Sequence, residues 1–148
     1  MSKIRLVRQR TNASWQDEGP STGAALLAGV VLGLASNAVL LALPRQQARL
    51  PGAGLAAADG VHLGIAVPGA RRSALLVQIG EVLGFTALAA LAVQRDSPGV
   101  LGSAWLAHSI WDALHYRGRG PTQVRSWWPP FCLGYDVALA APLLTGRL

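Results

Sequence analysis

The chain has 148 residues, 51% of them hydrophobic and only 14% charged, a formal net charge of +6 and one cysteine, Cys132. That length holds one domain, that apolarity does not suit an ordinary small soluble fold, and a lone cysteine excludes an intrachain disulfide or a thiol-only metal site. The thirteen basic residues fall in short clusters between apolar runs, which argues for membrane flanks and against a nucleic-acid partner.

Residues 1–22 are polar and basic, with Lys3, Arg5, Arg8 and Arg10, and show no apolar period. They read as a disordered cytoplasmic tail. Gly23 to Leu43, "GAALLAGVVLGLASNAVLLAL", carries no charge over 21 residues. At about 1.5 Å per residue it can cross a hydrocarbon core of roughly 30 Å, and it is too long for the apolar core of a cleaved signal peptide. Gly29 and Gly33 form a small-x-x-x-small pair for close helix contact, and Asn37 should face protein.

The next stretch, "PGAGLAAADGVHLGIAVPGARR", is apolar but interrupted by Asp59 and His62. A loop, a re-entrant segment and a true span all fit it, and Asp59 and His62 read as polar groups of a loop rather than as ligands. A second clear span runs from Ser73 to Val93, with Glu81 near its centre between Gly80 and Gly84. A third runs from about Gly99 to Tyr116, and a fourth from Phe131 to Thr145 holds Asp136.

The expected fold is therefore all-α, a polytopic transmembrane helix bundle of four to five helices, with residues 23–148 as one transmembrane domain. Four crossings distribute the basic residues six to seven, without bias. Counting residues 53–70 as a crossing places nine on the side of the tail and four opposite. The positive-inside rule then favours five crossings in a cell membrane with a cytoplasmic N-terminus.

"AWLAHSIWDALHYRG", from Ala104 to Gly118, carries the chemistry. On a helix, His108, Asp112 and His115 share one face, flanked by Trp105 and Trp111, while the opposite face is small and apolar. A carboxylate facing lipid costs about 2.5–3.5 kcal/mol even on the insertion scale, so Glu81 and Asp136 should converge on the same polar stripe. Gly80 and Gly84 would let a neighbouring helix come close enough for this.

The order Trp105-x2-His108-x2-Trp111-Asp112-x2-His115, preceded by Gly80-Glu81 and followed by Cys132-x3-Asp136, resembles a family of small integral membrane proteins of uncharacterised function with a W-x2-H-x2-W-D-x2-H core. The likeness covers roughly residues 75–140. It implies shared site residues and no particular reaction. Tyr116 follows His115 where a second histidine is common in that family, so no additional ligand is implied there.

Three functions fit these residues. Asp112-x-x-His115 has the carboxylate-x-x-His spacing with which helical bundles bind metals, and Glu81 and Asp136 can add ligands. Zinc or iron is then the cofactor, and zinc with a bound water suits hydrolysis of a lipid-like substrate. The stripe spans about 10.5 Å along the helix axis, so His108 and His115 would not both join Asp112 on one ion. Alternatively, Glu81 or Asp112 protonates an isoprenoid-like alkene, Trp105 and Trp111 bind the substrate and stabilise its cation, and the His–Asp pairs move the proton, as in an isomerase or cyclase. The third option is a non-catalytic bundle, structural or ion-conducting, for which a homo-oligomer is the natural form. A hydrogen-bond network that only fixes packing competes with all three, but five ionisable groups exceed what packing needs.

Overall fold

The computed structural model describes residues 19–66, 71–116 and 124–148. The disordered tail expected over residues 1–22 falls mostly outside them. Among the described residues the fold is all-α, with five helices and no strand: α1 (Thr22–Ala42), α2 (Arg49–Ala66), α3 (Arg72–Gln94), α4 (Pro98–His115) and α5 (Trp128–Thr145). A short 3-10 turn, Pro44–Gln46, joins α1 to α2.

The helix ends have local causes. Ser21 caps α1 by accepting the backbone N–H of Ala24, one of the donors that a helix start leaves unpaired. Proline occupies the first turns of α4 and α5, where its missing N–H is no loss. Helix α5 therefore begins at Trp128, earlier than the apolar run alone suggests, and it stops at Gly146 in the left-handed conformation. Residues 49–66 are continuous helix rather than loop, which decides among the alternatives that the sequence leaves open there.

Helix α1 packs on α5, α5 on α4, α4 on α3 and α3 on α2, and α2 also touches α4. The α1–α5 crossing is set by glycine. A Cβ at Gly29 would strike the Phe131 carbonyl oxygen, and one at Gly134 the Leu26 carbonyl oxygen. Gly134→Ala should therefore cost about 1–3 kcal/mol, the usual penalty for overpacking, read as a lower unfolding midpoint in detergent. An unchanged midpoint would mean that the two helices do not approach this closely.

Gly80 and Gly84 behave differently from the expectation. Nothing lies within 4 Å of a Cβ built on either, so they leave room beside Glu81 instead of admitting a helix. The reason is that α3 turns Gln78, Glu81, Ala89 and Ala92 inward and the glycines outward.

Inside, the bundle has two layers. Leu55, Ala92, Leu101, Trp105, Leu139 and Leu143 form an apolar core. Beyond Trp105, toward the C-terminal ends of α2 and α4 and the N-terminal ends of α3 and α5, the inward groups include Asp59, His62, Gln78, Glu81, His108, Asp112, His115 and Asp136. The outer surface is the reverse. Leu27, Val31, Leu34 and Leu41 of α1, Leu76 and Leu83 of α3, and Ile110 and Leu114 of α4 are exposed, several by more than half. By length and composition, Thr22–Ala42 and Arg72–Gln94 are long and apolar enough to cross a membrane.

Candidate metal and acid–base centre

The polar layer is built from four helices. Asp59 and His62 lie one turn apart on the inward face of α2, Gln78 and Glu81 on that of α3, His108, Asp112 and His115 on that of α4, and Asp136 on that of α5. All are buried, and Asp59, Gln78 and Asp112 have no exposed surface at all. The periodic spacing is the cause, because i, i+3, i+4 and i+7 positions share a helix face.

His108 is the hub. Its Nδ1 lies 2.8 Å from Asp136 Oδ2 and 3.3 Å from Asp112 Oδ2. Its Nε2 lies 3.2 Å from Asp59 Oδ1 and 3.8 Å from Glu81 Oε1. One imidazole thus stands between four carboxyl groups. Around it, Gln78 Nε2 donates to Glu81 Oε2 at 2.5 Å, and His62 Nδ1 lies 3.5 Å from Asp112 Oδ1. The His115 Nδ1–H donates to the Trp111 carbonyl at 3.1 Å, and its ring sits 4.9 Å from that of His62.

Several buried atoms of this cluster have no hydrogen-bond partner: both oxygens of Asp59 and of Asp112, both ring nitrogens of His62, Glu81 Oε1 and His108 Nε2. A buried polar atom without a partner costs about 1–3 kcal/mol, more when it is charged, so these atoms call for water, a proton or a cation beside them. Two sets of ligand atoms have metal-binding spacing, each within 4.8 Å: His62, Glu81 and His108, and His108, Asp112 and Asp136. Oxygen and imidazole donors of this kind suit zinc, iron or manganese.

The sequence-predicted residues Glu81, His108, Asp112, His115 and Asp136 thus lie in one layer of the bundle. His115 lies outside both of these sets, a turn beyond Asp112 with its Nδ1–H given to the Trp111 carbonyl, and His108 and Asp136 stand beside Asp112. Trp105 is buried with its ring edge-on to His108 and Tyr135. It walls the cluster off from the apolar core. Trp111 instead lines a groove of about 280 Å³ together with Val77, Glu81, Gly84, Phe85 and Leu88. That groove links the outside of the bundle to Glu81. A larger cavity, about 800 Å³, lies between α1 and α5 beside Asn37 and away from the cluster.

Asp59 and His62 were not expected here. A loop reading hid them, yet a signal was present: Asp59-x-x-His62 has the spacing of Asp112-x-x-His115. Cys132 is buried near the cluster and belongs to neither set of ligands. Comparison of the chain with protein-family models, with curated proteins and with solved structures gives no match.

Proposed function

We propose that this protein is an integral membrane enzyme whose α2–α5 layer binds a divalent transition metal and acts on a hydrophobic, lipid-derived substrate. The observation that carries the reading is the set of buried, unpartnered ligand atoms around His108. Apolar side chains outside and ionisable groups inside are the distribution that a bilayer imposes, since contiguous apolar surface is rarely left to water. Helices α2, α4 and α5 have 18 residues each, a rise of about 27 Å, and what lowers their hydropathy is largely the inward polar groups themselves. On this reading all five helices cross the membrane and the site lies in its cytoplasmic half. The groove beside Glu81 and Trp111 gives an apolar substrate lateral access, and the metal supplies a Lewis acid or an activated water. Nothing in the site calls for nucleic acid.

Metal binding to the folded state alone stabilises it, by about 2.7 kcal/mol at a hundredfold excess over Kd. The protein purified in detergent should accordingly contain bound metal, and chelation should lower its unfolding midpoint reversibly. A metal-free protein whose midpoint ignores both chelator and added metal would reject the reading. That result would favour acid–base chemistry of the isomerase or cyclase type, for which Glu81 and the Trp111 indole in one groove are the supporting observation.

A further inference from the structure

Asp59-x-x-His62 on α2 and Asp112-x-x-His115 on α4 are two copies of one motif. Each copy is followed, on the next helix, by one inward carboxyl group: Glu81 on α3 and Asp136 on α5. The bundle is thus built from two similar halves, α2–α3 and α4–α5, facing each other across the polar layer. Leu55, four residues before Asp59, stands where His108 stands before Asp112, so the central imidazole has no counterpart in the first half.

Each half brings its own two carboxyls together, Glu81 against Asp59 and Asp112 against Asp136. Two carboxyl groups in contact inside an apolar layer need a proton or a cation between them. No hydrogen bond reaches Asp59, Asp112 or either nitrogen of His62, and the ion pairs of the four carboxyls are with histidines. Four carboxylates are balanced by two divalent cations. With one cation, protons or the His108 imidazolium must complete the balance among apolar helices.

Helical bundles that hold two iron or manganese ions do so with a carboxylate-x-x-His motif from each of two helices and a single carboxylate from each of the other two. Helices α2 and α4 supply the first element here, and α3 and α5 the second. The His115 Nδ1–H, given to the Trp111 carbonyl, is the outer hydrogen bond that a metal-ligating imidazole typically makes.

We infer that the polar layer is a dinuclear centre, in which each half binds one iron or manganese ion at its own carboxyl pair and His108 lies between the two ions. His62 and His115 are the imidazole ligands that the two halves contribute. His108 coordinates one ion through one ring nitrogen and hydrogen-bonds to the carboxylates of the other half through the second. This inference rests on the metal-binding reading above and goes further in ion number and placement.

The test uses the full chain in detergent, stripped with chelator and reloaded with Mn(II) alone. Metal analysis should find two Mn(II) per chain, and electron paramagnetic resonance should show the exchange-coupled signal of a pair. Asp59→Asn and Asp136→Asn, one in each half, should each fall to one ion with an uncoupled six-line signal. One Mn(II) in the parent, uncoupled, overturns the dinuclear centre and leaves the metal-dependent reading standing. None overturns both. Two ions retained in both variants overturns the assignment of one ion to each half. Should a variant fail to fold, the stoichiometry and signal of the parent still decide.

Discussion

His108→Leu should be among the most damaging single changes in this chain, lowering the stability of the metal-free protein by about 3–5 kcal/mol, the usual loss when one partner of a buried charged pair is removed. The reason lies in the hub geometry. Its Nδ1 faces Asp112 and Asp136, its Nε2 faces Asp59 and Glu81, and among the described residues no other side chain forms ion pairs with all four carboxyls. Leucine fills much of the ring's volume, so packing loss against Phe85 and Trp105 contributes less than the electrostatic loss. Unfolding in detergent, followed with and without Mn(II), separates the two. If the loss is electrostatic, metal should recover a large part of it, because the cations replace the imidazole as partner of the acids. If metal recovers nothing, the ring matters through its shape or as a ligand that the ions require. A loss below about 1 kcal/mol would sink the view that His108 organises the layer, since an ordinary neutral hydrogen bond contributes that much.

Much of this architecture is legible in the chain before any coordinates. The uncharged run over Gly23–Leu43 gives a membrane-length helix directly, and Gly29 and Gly33 mark its close face, where they meet the backbone of α5. His108, Asp112 and His115 are readable as one face because a helix repeats every 3.6 residues, and the expense of leaving acids in lipid predicts that Glu81 and Asp136 turn inward. What is not legible is the part that depends on tertiary context. Residues 49–66 look ambiguous because Asp59 and His62 lower the hydropathy of that stretch, and they lower it for the very reason that they belong to the site. Hydropathy penalises a helix for carrying inward polar groups. The glycines on α3 mislead in a related way. Gly80 and Gly84 have the spacing of a contact face, yet spacing alone does not say whether a glycine admits a neighbouring helix or leaves space for something else, and here it leaves space. The surroundings of Asp112 could not be read locally either: Asp136 arrives beside it from one helix and His62 from another.

Asp112→Asn tests whether the layer is a binding site or only a packing network, because it changes charge and ligand strength while keeping shape. Asp112 has no exposed surface, lies 3.3 Å from His108 Nδ1 and 3.5 Å from His62 Nδ1, and adjoins Asp136. An asparagine there can offer its oxygen to one imidazole and donate its N–H to Asp136, so a purely structural network would survive with at most the loss of about one hydrogen bond, 0.5–1.5 kcal/mol. Removing a carboxyl from beside Asp136 also relieves a like-charge contact, which should hold the metal-free midpoint steady or raise it. Metal binding should respond in the opposite direction. A neutral amide is a far weaker donor than a carboxylate, and since loss of even an outer partner of a ligand weakens metal affinity about 10- to 100-fold, loss of the ligand itself should weaken it by at least that much. The expected result is therefore a variant that folds as well as the parent without metal and gains less stability than the parent when metal is added. A variant that binds metal as the parent does would remove Asp112 from the ligand set, and one that simply melts at a lower temperature in every condition would make the carboxylate of Asp112 a structural partner of the histidines rather than a ligand.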